Sequence, residues 1–252
     1  MNTCLSHAGK IFAVTLLLSS VSGCSSLNVG GIGIGNAVGS ATDLYKAATL
    51  GDAEIKTMAL EAAAESDRSN KVLSSGPYVA RLSKIAGQLK SYDSLQLNFK
   101  VYQTKDINAF ALANGSVRVY SGLMDLMTDD ELFFVLGHEA GHVKLGHSKH
   151  QVQLAYSASA VRKGVAASGT VAGALAASEI GAFTEDLVNA QFSQSEETES
   201  DEYGLAALKK FGRPKTAGPA ALRKLAKLGG DHSFLSSHPD PEDRAANLES
   251  LK

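Results

Sequence analysis

The sequence predicts a mainly helical α+β fold with a small antiparallel sheet. Long segments repeat apolar residues with the helical period. One short segment alternates apolar and polar residues, as a half-buried strand does, and another contains a strong hairpin signal. The chain has 252 residues, enough for one or two buried cores, and we predict a single domain over residues 41–252.

The first 23 residues are predicted to be a secretory signal peptide. Lys10 precedes the apolar run IFAVTLLLSSVSG, which is too short for a spanning helix and ends at Cys24. Residues 21–24, VSGC, resemble the lipobox of bacterial lipoproteins, in which the signal is removed before a cysteine that is then acylated. The alternative is an ordinary signal peptide with an incidental cysteine.

Lipidation of Cys24 would anchor the mature chain stably to a membrane, because several acyl chains are buried together. Ser25 follows this cysteine, and the resemblance to enterobacterial sorting then implies an outer-membrane lipoprotein facing the periplasm of a Gram-negative bacterium. Residues 24–40 are rich in Gly and Ser, which predicts a flexible tether. The net charge of −2, without a cluster of Lys and Arg, argues against nucleic acid as a partner.

The first half of the domain is predicted to contain two helices and then strands. Residues 41–70 and 78–89 have helical patterns, and Leu95–Val101 alternate as a strand. Residues 108–123 contain Asn114-Gly115 between two alternating runs, which is typical of a hairpin.

The second half is predicted to be helical. Thr128 and Glu131 fit a capping box, so a helix is expected from about Asp129 to His147. Further helices are expected over residues 194–210 and 217–228. Residues 152–190 are mostly Ala, Gly, Ser and Val, which favours a packed helical segment near the site over a membrane hairpin.

His138, Glu139 and His142 form the pattern H-E-x-x-H on the predicted helix at 129–147. The two histidines lie about 40° apart on one helical face and can bind one metal ion from successive turns. Glu139 lies at the edge of that face, where it can take a proton from a water and return it to a leaving amine. A solvated, histidine-rich structural helix is the alternative.

Two glycines on this helix favour a functional site. Gly137 and Gly141 each cost about 1 kcal/mol relative to Ala in a helix interior. A purely structural helix has no reason to contain both. We therefore expect another element to pack closely against this face.

The third ligand must come from elsewhere in the chain. If the helix continues, His147 lies about 140° around it from His142 and cannot reach the same ion. His150 is too far along the axis. Both are predicted to be surface histidines. Glu197 and Asp201 lie four residues apart, so one could bind the metal while the other holds a ligand histidine. They could equally be acids that favour a helix N-terminus.

The order of these motifs resembles one family of zinc peptidases, that of HtpX and the CAAX prenyl endopeptidases. The resemblance rests on GHEAGH, on QFSQSEETESDEYGL some 50 residues later, and on HPDPEDR near the C-terminus. It implies a zincin-like fold, one zinc ion, Glu197 as the third ligand and Asp201 as a partner of a ligand histidine. Ser200 replaces the alanine of the family's usual E-x-x-A-D.

Two further residues enter through the same resemblance. His238 matches a family histidine near the metal, which implies either transition-state stabilisation or reversible capping of the zinc. Arg244 matches an arginine near the site that pairs with an acid. A plain turn followed by a helix-start arginine is the alternative for both.

Together these residues predict a zinc-dependent metalloendopeptidase that hydrolyses unfolded or misassembled proteins of the cell envelope. An extended substrate is expected to add as a strand to an exposed sheet edge, one strand of the 108–121 hairpin. The alternatives are a binding module that holds outer-membrane clients without cutting them, and a structural zinc protein with four protein ligands.

Overall fold

The computed structural model describes residues 28–29, 32–33, 49–163, 177–229 and 233–251. The predicted signal peptide, Cys24 and residues 164–176 lie outside these ranges. Inside the predicted tether, β1 (Asn28–Val29) pairs antiparallel with β2 (Ile32–Gly33), which the Gly-rich composition did not predict. Val29 and Ile32 are β-branched, and such residues favour strands. This pair belongs to a separate unit from residues 38–252.

The larger unit is mainly helical, as predicted. Its strands are β3 (Val72–Leu73), β4 (Asn98–Tyr102), β5 (Ala109–Ala111) and β6 (Ser116–Tyr120). Its helices among the described residues are α1 (Asp52–Ser69), α2 (Pro77–Ala86), α3 (Ser121–Leu126), α4 (Asp129–Lys144), α5 (His147–Lys163), α6 (Ala177–Val188), α7 (Gln194–Lys210), α8 (Ala217–Ala226), α9 (Ser233–Ser237) and α10 (Pro241–Ser250). None of these helices is both long and apolar enough to cross a membrane.

The sheet of the larger unit has the strand order β3-β4-β6-β5. The predicted hairpin is confirmed, because β5 and β6 pair antiparallel around Gly115, which has a φ of 83°. The prediction of a wholly antiparallel sheet is wrong, because β4 and β6 run parallel. The hairpin adds to β4 through its second strand, so β5 is left at the edge.

Helix α4 begins as the capping box predicts. The Thr128 hydroxyl accepts from the Glu131 N–H, and the Glu131 carboxylate accepts from the Thr128 N–H at 2.7 Å. The helix ends at Lys144, not at His147 as predicted. Gly146 has a φ of 86°, a left-handed conformation that suits glycine at a helix end, and α5 begins at the next residue, His147.

Helix α4 is buried on nearly every side, between the sheet, α7 and α8. Its two glycines allow the close approach to α7 that the sequence predicted. A Cβ atom on Gly137 would lie 3.1 Å from the Gly204 Cα, and one on Gly141 would lie 3.1 Å from the Ser200 Cα. The close packing brings the N-terminal turns of α7 against the histidine face of α4.

Candidate metal centre

Four side chains converge where α4, α7 and the end of α9 meet. His138 Nε2 lies 2.9 Å from His142 Nε2 and 3.3 Å from His238 Nδ1. Glu197 Oε1 lies 3.4 Å from His142 Nε2 and 2.9 Å from His238 Nδ1. The structure therefore brings together the three ligands predicted from sequence and adds His238 as a fourth donor.

This donor set fits a zinc ion. Bonds of 2.0–2.1 Å in a tetrahedron place ligand atoms about 3.4 Å apart, close to the separations of these four side chains. The chemistry also fits, because His138 Nδ1 lies 2.9 Å from the Asp201 carboxylate and must carry the proton. His138 Nε2 then presents a lone pair toward His142 Nε2, and a cation between them satisfies both nitrogens. Imidazole and carboxylate are common zinc ligands.

The protonation states of His142 and Glu197 favour metal binding. Burial lowers the pKa of His142 well below its ordinary value, so the ring is neutral at neutral pH. Burial opposes ionisation of Glu197, but His238 and His138 outweigh it and hold the pKa of this carboxyl far below its usual range. A neutral imidazole and an ionised carboxylate are the forms that bind zinc.

Glu139 lies next to the donor group without belonging to it. Its Oε1 atom is 3.5 Å from His238 Nε2 and has no hydrogen-bond partner among the described residues. Burial, partly offset by the charge of His238, raises the pKa of Glu139 to about 7. A buried acceptor with a raised pKa is suited to taking a proton from a water.

Asp201 and Arg244 support the four donor side chains through hydrogen bonds and ion pairs. Arg244 donates to both oxygens of Asp201, at 2.8 and 2.6 Å, and also forms an ion pair with Glu197. Burial would raise the pKa of Asp201, but the hydrogen bonds from Arg244 and His138 outweigh it and lower that pKa. Arg244 thus balances the charges of two buried carboxylates.

The His238 ring stacks on two phenylalanines whose roles the sequence did not indicate. Phe234 lies on one turn of α9, with ring centroids 4.5 Å apart, and the Phe192 ring lies 5.4 Å away. Phe192 also stacks on His142 at 3.7 Å. His138, Glu139, His142, Glu197 and His238 are each at most 1% exposed, so the site is closed in this conformation.

His147 corrects one prediction. It is buried, not at the surface, because the chain turns at Gly146 and carries it back toward α4. Its Nδ1 atom lies 3.1 Å from His142 Nδ1, on the side of that ring away from the donor group. His150 is exposed, as predicted, and pairs with Glu196. Gly146, a residue typical of helix ends, was the sequence signal that could have predicted a turn before His147 and its burial.

The sheet edge that was predicted to bind substrate is not exposed in this conformation. β5 is the edge strand, but all three of its residues are buried. Its Ala111 carbonyl accepts a hydrogen bond from the Ser148 hydroxyl of α5 at 3.0 Å. The edge is therefore covered, not exposed.

Comparison with known proteins identifies one peptidase family and several related proteases. The model of peptidase family M48 matches residues 50–252. Metalloprotease YcaL of Escherichia coli (strain K12) is 40% identical over 242 residues, 94% of each chain. Metalloprotease LoiP of the same strain is 39% identical over 246 residues, 95% of this chain and 96% of that protein. A putative beta-barrel assembly-enhancing protease of Vibrio cholerae serotype O1 is 26% identical over 227 residues, 84% of this chain and 45% of that protein.

Proposed function

The chain belongs to peptidase family M48 and is a zinc metalloendopeptidase, and we propose that it hydrolyses unfolded or misassembled proteins of the bacterial cell envelope. The observation that carries the proposal is the buried group of His138, His142, Glu197 and His238, beside which one carboxylate oxygen of Glu139 has no hydrogen-bond partner in the described part of the chain. A structural helix has no need of that arrangement.

We assign zinc binding to His138, His142 and Glu197. When bound, zinc supplies Lewis acidity toward the scissile carbonyl and makes a water nucleophilic near neutral pH. Glu139 takes the proton from that water and gives it to the leaving amine. Asp201 accepts from His138 Nδ1–H and so fixes the ring, and Arg244 holds Asp201.

The substrate is proposed to add as a strand to β5. Asn108 and Leu112 exchange backbone hydrogen bonds with β6 and its turn, so the backbone groups of Ala109 and Ala111 point to the outer edge. The Ala111 carbonyl becomes available to a peptide once the Ser148 hydrogen bond opens, whereas the Ala111 N–H is already hydrogen-bonded to the Glu139 carboxylate. Recognition through backbone groups requires an extended chain and depends little on side chains, which favours unfolded substrates.

The substrate class can be tested with one protein in two states. Ribonuclease A with intact disulfides and the same protein after reduction and carboxymethylation have nearly the same sequence but differ in folding. We expect the zinc-loaded full chain, in detergent, to cleave the unfolded form and to leave the native form intact over the same time. Equal cleavage of both forms would refute strand addition by unfolded segments.

The second candidate function is an assembly factor that holds envelope proteins and cuts them rarely. Two observations favour it: the name of the Vibrio cholerae relative, and the position of His238 Nδ1 among the donor atoms, where it can close the zinc site. Glu139 favours catalysis, because a protein that only holds clients does not need a general base.

Replacing His238 with Ala separates these functions. We expect the variant to keep one zinc ion, since three ligands remain, and to turn over casein about 100-fold more slowly, because it loses the transition-state stabilisation that the resemblance assigns to His238. Zinc content and steady-state cleavage give both quantities. Faster cleavage would instead show that His238 acts only as a cap, and unchanged cleavage would exclude both roles.

We also propose that the mature chain is an outer-membrane lipoprotein that faces the periplasm. The support is the lipobox pattern ending at Cys24, with Ser25 after it. Cys24→Ser is expected to abolish labelling by radioactive palmitate and to leave the chain unprocessed at this position. Labelling that persists, or outer-membrane fractionation identical to wild type, would refute lipidation at Cys24.

A further inference from the structure

His147 is a buried histidine to which the proposed chemistry gives no role. It is the first residue of α5, immediately after the turn at Gly146, and 6% of it is exposed. It is not a member of the donor group. Its ring lies instead behind the ring of His142, with the two centroids 5.2 Å apart.

The contacts of His147 form a chain that leads outward from His142. His147 Nδ1 lies 3.1 Å from His142 Nδ1, and His147 Nε2 lies 3.1 Å from a carboxylate oxygen of Glu199. The Ser200 hydroxyl is the other polar group at His147 Nδ1, at 3.2 Å. The Glu199 side chain is 57% exposed, so the chain ends in solvent.

The arrangement of protons along this chain follows from the position of His142 Nε2. That nitrogen faces the donor group, and a metal there requires its lone pair. His142 Nδ1 then carries the proton and needs an acceptor, which is His147 Nδ1. His147 in turn carries its proton on Nε2 and donates it to Glu199. Each hydrogen bond has one donor and one acceptor only in this order.

The two ligand histidines of α4 are therefore held in corresponding ways. Asp201 accepts from Nδ1–H of His138, and His147 is placed to accept from Nδ1–H of His142. A partner at the second nitrogen fixes the tautomer and the ring orientation of a ligand histidine. The His142 ring has Phe192 against its face, but a stacked ring does not select between tautomers.

We propose that His147 is a positioning residue that holds the tautomer and orientation of His142 for zinc, with Glu199 as its own partner. The inference rests on the proposed assignment of His142 as a zinc ligand. Loss of such a partner typically weakens metal affinity about 10- to 100-fold. His147 acts through His142 and touches neither zinc nor substrate.

The test is the zinc affinity of three variants of the full chain, measured by competition with a chromophoric chelator. His147→Phe fills the space but cannot accept, and we expect its affinity to be about 10- to 100-fold weaker than wild type. His147→Asn keeps an acceptor near the Nδ1 position and is expected to recover most of the affinity. His150→Phe is the control. His150 lies on α5, as His147 does, and likewise pairs with a glutamate of α7, Glu196, but it touches no metal ligand.

Cobalt substitution gives a second readout that a purely structural role would not change. We expect the visible absorption of the cobalt-loaded protein to shift in His147→Phe and to match wild type in His147→Asn and His150→Phe. If His147→Phe does not fold, Glu199→Ala replaces it, since Glu199 is exposed. We expect this change to weaken zinc affinity about tenfold, the lower end of the usual range for such a partner.

The outcomes are distinguishable. Wild-type affinity in His147→Phe, or equal losses in His147→Phe and His147→Asn, would overturn the positioning role. If His147→Phe does not fold, wild-type zinc affinity in Glu199→Ala would also overturn the positioning role. If His142→Ala binds zinc as tightly as wild type, the zinc assignment itself fails, and this result does not depend on His147.

Discussion

Replacing Glu139 with Gln is expected to abolish peptide-bond hydrolysis while zinc stays bound. Gln has nearly the same shape but cannot take a proton at neutral pH, and loss of a general base slows such reactions about 10²- to 10⁴-fold. The donor atoms of the metal site come from other side chains, so zinc content should not change. The measurement combines the casein cleavage rate with the zinc content of the same sample.

Glu202→Gln is the matched control for this prediction. Glu202 is an exposed glutamate on α7, and its replacement makes the same chemical change away from the site. We expect wild-type cleavage from it. Glu139→Gln that cleaves casein within a few-fold of wild type would remove Glu139 from the proposed mechanism.

Replacing Arg244 with Leu is expected to destabilise the zinc-free protein by about 3–5 kcal/mol. The change leaves the carboxylates of Asp201 and Glu197 buried without their cation, and removing one partner of a buried ion pair costs about this much. Zinc compensates part of the lost charge, so the zinc-loaded protein should lose less stability. Urea denaturation of both forms measures the two differences.

Arg223→Leu provides the comparison for an exposed pair. Arg223 lies on α8 and binds Glu242 and Glu249 at the surface. Exposed ion pairs contribute about 0–1 kcal/mol, so this variant should unfold almost as wild type does. Equal losses of stability in Arg223→Leu and Arg244→Leu would contradict the electrostatic role assigned to Arg244.

The sequence predicted features that depend on local residues. The capping box at Thr128, the hairpin at Asn114-Gly115 and the helix at 194–210 are all present in the structure. The parallel pairing of β4 with β6 was not predictable, because alternation identifies a strand but not its neighbour. Helix α4 ends three residues before the predicted His147, because Gly146 adopts a left-handed conformation that the helical pattern did not indicate.

The residues of the site differed in how far the sequence alone could identify them. The spacing of His138 and His142 gives their common face directly, whereas Glu197 was one of two acids until the resemblance favoured it. His238 and Arg244 lie more than 90 residues after the motif, and only the resemblance pointed to them. Phe192 lies inside the matched segment QFSQSEETESDEYGL and Phe234 lies in no motif, but neither position indicates stacking on an imidazole, which depends on three-dimensional packing. The roles of all these residues stay predictions until the variants are measured.

The most direct test of the zinc peptidase mechanism is casein cleavage by the full chain in detergent, through a cycle of metal removal and return. Activity and zinc content are measured before chelation, after chelation and dialysis, and after addition of one equivalent of zinc, with Glu139→Gln in parallel. We expect cleavage to disappear with the metal and to return with one zinc per chain, while Glu139→Gln holds one zinc and cuts nothing. Cleavage that survives complete removal of the metal, or a wild-type chain that holds one zinc and never cuts, would contradict this mechanism.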